Sequence, residues 1–374
     1  MGRRMARRRK QAPDGRLPGH QTDAIIAVAL SEPTHHSNAV IYGCSGTVLT
    51  ADEKNFFADA RPVGFILFQR NCENPDQAQR LVDDLRACIG VSDAPVLIDQ
   101  EGGRVRRLKP PHWWEAPAAA VFRQLALKDA ALAVEAAHLN AQLIADELIN
   151  LGINVNCAPV LDVPSPGSHD IIGDRAYGDD SALVSALGLA TADGLLSMGV
   201  LPVIKHIPGH GRAMVDSHLS LPVVETALDA LKNTDFEPFC TLNALPLGMT
   251  AHIVFTAIDA DHPGTVSEKI IKDIIRDHMG FDGFLFSDDL SMEALDGAIE
   301  DRATNTLAAG ADAALHCNGK LDEMKRIAEK APELSLKSQD RWQRAQAALP
   351  NVPETLNFEA GVEELTAMLE SVVT

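Results

Sequence analysis

Residues 205–218 hold a dense set of reactive side chains: Lys205-His206-Ile207-Pro208-Gly209-His210-Gly211, then Asp216-Ser217-His218. Imidazoles titrate near neutrality and exchange protons with substrates. Asp216 and His218 are two residues apart, so in an extended segment their side chains share one side. Asp216 then accepts from one ring nitrogen and favours the charged imidazole, leaving the other nitrogen to give or take a proton. A second segment, Phe284-Leu-Phe-Ser-Asp288-Asp289, ends an apolar run in paired carboxylates. Adjacent strand residues point in opposite directions, so the two acids have different roles. One faces a ligand as nucleophile or metal ligand; the other is structural, capping a helix expected to begin near Ser291 or pairing with a base.

Three further segments carry binding chemistry. In Asp99-Gln-Glu-Gly-Gly-Arg-Val-Arg-Arg107 the carboxylate accepts from hydroxyls while guanidiniums donate to them. Arg175, in Gly173-Asp-Arg-Ala-Tyr177, matters to a site if it reaches the same mouth. Lys205 and His206 end the apolar run Leu201–Ile204. The Pro-Gly-His-Gly loop after them lacks the spacing of a nucleotide-binding glycine motif.

These segments need a scaffold that brings strand ends together. Continuous apolar runs at Ala24–Leu30, Gly64–Phe68, Pro95–Ile98, Ile153–Val163, Leu201–Ile204, Leu247–Ile253, Phe284–Phe286 and Ala313–Leu315 read as buried parallel strands. Helical segments lie between them. One opens at Asn74-Pro75; another carries the stripe Leu132, Ala136, Leu139, Leu143 and stops before Gly152. Others run from Ser181 to Met198 and from Ser291 to Ala309, with helices around 338–349 and 359–373 closing the chain. Polar residues follow most of the strands. That distribution predicts an α/β protein with a single-domain, TIM-like (β/α)8 barrel over residues 21–374, whose loops converge on one mouth. A doubly wound sheet would concentrate them at one crevice.

Composition narrows the function. The 374 residues carry 33 Lys and Arg against 52 Asp and Glu, a net charge of −19, which disfavours nucleic acid as a partner. Residues 1–20 form a basic stretch that reads as a disordered tail. No run is long and apolar enough to span a membrane. The six scattered cysteines form no Cys-x-x-Cys pair, which predicts neither a disulfide framework nor a zinc site and fits a reducing, cytoplasmic location. No cofactor and no obligate protein partner are expected.

Together the segments resemble the family 3 glycoside hydrolases, specifically the single-domain bacterial β-N-acetylglucosaminidases of peptidoglycan recycling. The matching pieces, in the family's order, are Asp99–Arg107, Ala158-Pro-Val-Leu-Asp-Val163, Gly173–Tyr177, Lys205–Gly211, Asp216-Ser-His218 and Phe286-Ser-Asp-Asp-Leu-Ser-Met-Glu293. Ile207 stands where the family commonly has phenylalanine. The resemblance implies a barrel and a retaining mechanism, with Asp288 as nucleophile and His218, partnered by Asp216, as acid then base. It assigns Asp99, Arg107, Arg175, Lys205 and His206 to binding N-acetylglucosamine in muropeptides. A histidine in that role departs from the usual pair of carboxylates. The loop glycines Gly209 and Gly211 are expected to act as hinges.

Rival readings remain open on the residues alone. A metal-dependent hydrolase would use His206, His210, His218, Asp288 and Asp289, but the chain has no helical His-Glu-x-x-His. A sugar-binding protein would bind without turnover. A phosphorylase would use the same site with phosphate as acceptor.

Overall fold

A computed structural model describes residues 37–217 and 220–370. Eight parallel strands close into a barrel: β1 (Asn38–Gly43), β2 (Pro62–Leu67), β3 (Val96–Ile98), β4 (Val155–Asn156), β5 (Leu201–Ile207), β6 (Leu247–Thr250), β7 (Phe284–Asp289) and β8 (Ala313–His316). They follow the ring in chain order, and β1 pairs with β8 to complete it. Closure leaves no barrel strand with an unpaired edge. The predicted (β/α)8 barrel is the architecture observed.

Local chemistry explains the helices outside the ring. Asn74 caps Pro75–Ile89 by accepting from the Gln77 amide at 3.0 Å, and proline fits the first turn because it has no N–H to satisfy. Thr50 and Glu53 form a reciprocal capping box on Ala51–Ala60. Asp180 caps Ser181–Ser197 in the same way as Asn74. The stripe on Ala130–Asn150 faces inward, with Ala136, Leu139 and Leu143 buried.

Alternate strand residues fill the barrel itself. Ile41, Val63, Leu97, Val155, Val203, Leu247, Phe284 and Phe286 belong to one buried cluster. The helix Leu336–Ala347 closes the end opposite the strands' carboxyl ends. Trp342 packs edge-on against Phe284 with ring centroids 5.6 Å apart, and Arg341 donates to Asp312 at 2.9 Å. The same Asp312 accepts from Arg276 at 2.9 Å and from the Leu285 amide at 2.8 Å, which ties this helix to β7.

Three elements differ from the sequence reading. The first barrel strand is Asn38–Gly43, not Ala24–Leu30; that run and the basic tail lie outside the described residues. The run Ile153–Val163 pairs as regular ladder only at Val155–Asn156. Pro159 offers no N–H to continue it, and pairing resumes as an isolated bridge from Val160 to Lys205. Finally, no helix begins near Ser291. Turns occupy that stretch until Ile299, and Arg302 fixes them by donating to the Leu290 and Met292 carbonyls at 2.8 and 3.0 Å.

Phe286 is 1% exposed at the centre of the barrel. Phe286→Ala should lower unfolding free energy by about 3–5 kcal/mol in a denaturant titration. A loss below about 1 kcal/mol would mean that the interior repacks freely.

Candidate active site

The carboxyl ends of the strands open into a cavity of about 360 Å³. β3 leads to Asp99, β5 carries Lys205 and His206, and β7 carries Asp288 and Asp289; all five side chains line it. Arg107 and Arg175 reach the same cavity from the loops after β3 and β4, joined by Phe68, Met249 and Met292. The loop after β3 folds back sharply at Gly102 and Gly103, whose φ angles are +98° and +54°. A Cβ on Gly102 would sit 2.2 Å from the Pro117 carbonyl oxygen, so the turn requires glycine. Gln100 locks the return by accepting from the Arg107 and Leu108 amides at 2.8 and 3.1 Å.

Charge pairing organises one wall. Lys205 Nζ lies 2.8 Å from Asp99 and 2.6 Å from Glu101. Arg107 donates to Asp99 at 2.8 Å, and Arg175 holds both oxygens of Glu101 at 2.7 and 2.8 Å. Burial would raise the carboxyl pKa values, but the cations outweigh it. Lys205 and Arg107 hold Asp99 well below the usual carboxylate range, and Arg175 and Lys205 bring Glu101 down to about 2. Burial likewise disfavours the Lys205 ammonium, and the two carboxylates reverse that and raise its pKa. Every member is therefore ionised at neutral pH.

Asp162 organises the adjacent wall. It accepts from His206 Nδ1 at 2.7 Å, from the His206 amide at 3.2 Å and from the His210 amide at 2.6 Å. The fixed Nδ1 leaves His206 Nε2 as the nitrogen able to meet a ligand. His210 is buried and shares a hydrogen bond with the Ser217 hydroxyl at 3.1 Å. Burial, then the neighbouring His206, pushes its pKa down to about 4, so it is neutral.

The two carboxylates on β7 part company as expected, though not by capping a helix. Asp289 accepts from the Ser291 amide and hydroxyl at 3.0 and 2.6 Å and from the Cys317 amide at 3.1 Å. It therefore caps a turn and joins the ends of β7 and β8. Asp288 lines the cavity and accepts from the Asp289 amide at 2.8 Å. His252, kept neutral by burial, donates or accepts at Thr265 Oγ1 (2.7 Å) and lies 3.0 Å from the Asp289 carbonyl oxygen, steadying that strand end.

Of the candidate acid/base pair, Asp216 is half-buried and His218 lies outside the described residues. The Asp216 carbonyl accepts from the Ser220 amide at 3.0 Å. The hinge expected at Gly211 does not fit. A Cβ there would lie 1.9 Å from the Val163 carbonyl oxygen, and the Gly211 carbonyl accepts from Ser165 at 3.0 Å. Gly211 is a point of close backbone packing. Among the described residues no three His, Cys, Asp or Glu side chains are grouped as a metal site.

Reading the chain alone set Glu101 and Asp162 among the polar residues at strand ends and His210 only in a possible metal site, and gave none of them, nor Ser217, a partner at the cavity. An acid directly after an apolar run, as at Asp162, was the available signal. Glu101 carried only its place beside Asp99.

A family model described as the glycosyl hydrolase family 3 N terminal domain matches residues 43–349. The chain is 38% identical over 285 residues to a protein of Alkalilimnicola ehrlichii named beta-hexosaminidase, covering 75% of this chain and 80% of the relative. A Methylococcus capsulatus protein of the same name is 39% identical over 277 residues, covering 73% and 80%. Among solved structures, NagZ from Neisseria gonorrhoeae in complex with N-trifluoroacetyl-D-glucosamine is similar with a TM-score of 0.79 and 31% identity, covering 92% of this chain and 100% of that one.

Glu101→Gln leaves Lys205 and Arg175 short of a buried counter-charge and should cost on the order of 3 kcal/mol at pH 7. The folded pKa of Glu101 is depressed from 4.5 to about 2. Its contribution is thus complete above pH 4.5 and fades as pH falls toward 2. Stability measured by denaturant at pH 7 and pH 3 should differ less in the variant than in the wild type.

Proposed function

The chain belongs to glycosyl hydrolase family 3, and from that premise we propose that it is a retaining exo-β-N-acetylglucosaminidase acting on peptidoglycan fragments. The observation that carries this reading is the meeting of Asp288 with Asp99, Lys205 and Arg175 in one cavity, the two cations being held in turn by Glu101. Such a wall offers fixed carboxylate acceptors and cationic donors, which suits the vicinal hydroxyls of a sugar ring. Asp99, Arg107, Lys205, His206 and Arg175 hold a terminal N-acetylglucosamine in this reading. Arg175 and Lys205 also keep Glu101 ionised. The relatives' name, beta-hexosaminidase, and the glucosamine derivative in the Neisseria NagZ structure support that sugar.

In the first step an Asp288 oxygen attacks the anomeric carbon as the bond to the leaving oxygen breaks. His218, charged with the help of Asp216, gives its proton to that oxygen. In the second step water attacks the same carbon, His218 takes the water's proton, and Asp288 is released. The balance is glycoside plus water to free sugar plus alcohol. The leaving group in this proposal is 1,6-anhydro-N-acetylmuramic acid, with or without its peptide. The six cysteines are free thiols, which suits a reducing cytoplasm.

Asp288→Ala should retain the wild-type melting temperature within a few degrees and lose at least about 10⁴-fold in kcat/KM on an aryl β-N-acetylglucosaminide. Free N-acetylglucosamine should be the product in phosphate buffer as in any other, with chelators present. Unchanged turnover in the variant removes Asp288 from the reaction. A sugar 1-phosphate product makes the protein a phosphorylase.

A further inference from the structure

The rim of the cavity differs from its floor. The Lys205 side chain is 2% exposed and that of Asp99 14%, whereas Arg104, which lines the same cavity, is 41% exposed and Val105 and Ile171 are half-buried. A sugar held on the floor presents its leaving group to the rim. An attacking carboxylate and the leaving oxygen stand on opposite faces of the anomeric carbon, and Asp288 sits at the end of β7. In the ring of eight, the strand facing β7 is β3, with β4 beside it. The loops after those two strands carry Arg104, Val105, Ile171 and Ile172 into the cavity lining.

An arginine at a rim suggests a receptor for an anion, but this one is turned to the protein. Its Nη2 donates to the carbonyls of Asp170, Ile171 and Ile172, the last two at 3.0 and 3.1 Å. Its Nε lies 2.9 Å from the Asp174 carboxylate, and Asp170 stands 3.4 Å from Nη1. The loop closes round the guanidinium at Gly173, whose φ is +46° and where a Cβ would lie 2.9 Å from Nη2. The Ile171 carbonyl also accepts from Arg175 at 3.2 Å, the residue that grips Glu101. Two carboxylates therefore flank the rim cation while its fork holds backbone. What the loop offers the cavity is apolar: Ile171 packs on the cluster of Ile172, Val160 and Ala176.

We propose that Ile171 is the apolar lip against which the leaving sugar packs, and that Arg104 is a positioning residue for that lip rather than an anion receptor. The C–H face of a pyranose removes apolar surface from water when it meets such a side chain. The inference rests on Asp288 being the nucleophile, as proposed above.

Fluoride is too small a leaving group to reach the lip, whereas the neutral leaving sugar of N,N′-diacetylchitobiose covers it. The test compares kcat/KM for N-acetyl-β-glucosaminyl fluoride and for that disaccharide. Ile171→Ser and Arg104→Met should each lose about tenfold or more on the disaccharide relative to the fluoride. Arg104→Lys keeps the charge but not the fork, so it should lose as much as Arg104→Met. Equal losses on both substrates, no loss, or full activity in Arg104→Lys overturn the proposal while leaving the glycosidase reading intact. A wild type that turns over the fluoride alone also overturns it, and one that turns over neither substrate overturns the glycosidase reading as well. If Arg104→Met melts more than a few degrees early, Ile171→Ser decides the matter, since it trims one half-buried side chain.

Discussion

A lysine ammonium that is 2% exposed, held between Asp99 and Glu101, is the constraint on which the barrel mouth depends. An ion so placed is expensive to bury, by several kcal/mol, unless its partners are fixed and themselves paired. The chain meets that demand with Arg107 on Asp99 and Arg175 on Glu101. Lys205 belongs to β5, the acids to the loop after β3, and Arg175 to the loop after β4. One buried cation thus ties three successive strand ends together. The same ties hold polar groups toward the cavity, so the contacts that stabilise the fold also shape the cavity wall.

Asp162 does for orientation what Lys205 does for charge. A single carboxylate receives two backbone amides and an imidazole, and its pKa is lowered by His206 despite burial. On the far side of the mouth, His252 and Asp289 brace the end of β7 against its neighbours. Asp99, Arg107, Arg175, Lys205, His206 and Asp289 therefore meet the cavity while each is held by another residue.

Much of this was legible in the chain. Continuous apolar runs marked seven of the eight barrel strands, and the polar residues after the runs of β3, β5 and β7 line the cavity. The first strand, Asn38–Gly43, was passed over because a longer apolar run, Ala24–Leu30, preceded it. The helix expected at Ser291 failed because Asp289 turns the chain there, and the broken strand at Pro159 followed from a missing N–H. The pairings of Glu101 and Asp162 were not read for one reason. Their partners lie 74 and 44 residues away in the chain, and no local pattern records such a pairing. Lys205 and Asp99, by contrast, each announced themselves as ions at the end of an apolar strand.

Two carboxylates stand side by side at the end of β7, and a duplicate of this kind looks like a reserve. Asp289 is no reserve. Both its oxygens are engaged, one by the Ser291 and Cys317 amides and the other by the Ser291 hydroxyl, and releasing them would loosen the junction of β7 and β8. With Asp288 as the nucleophile proposed above, a lineage that lost it would have no neighbouring acid to recruit. It would keep a folded barrel with its charge-paired wall intact, because that wall is built from other strands. On the same proposal the path such a loss opens runs from enzyme to sugar receptor, and retracing it would require restoring that one residue.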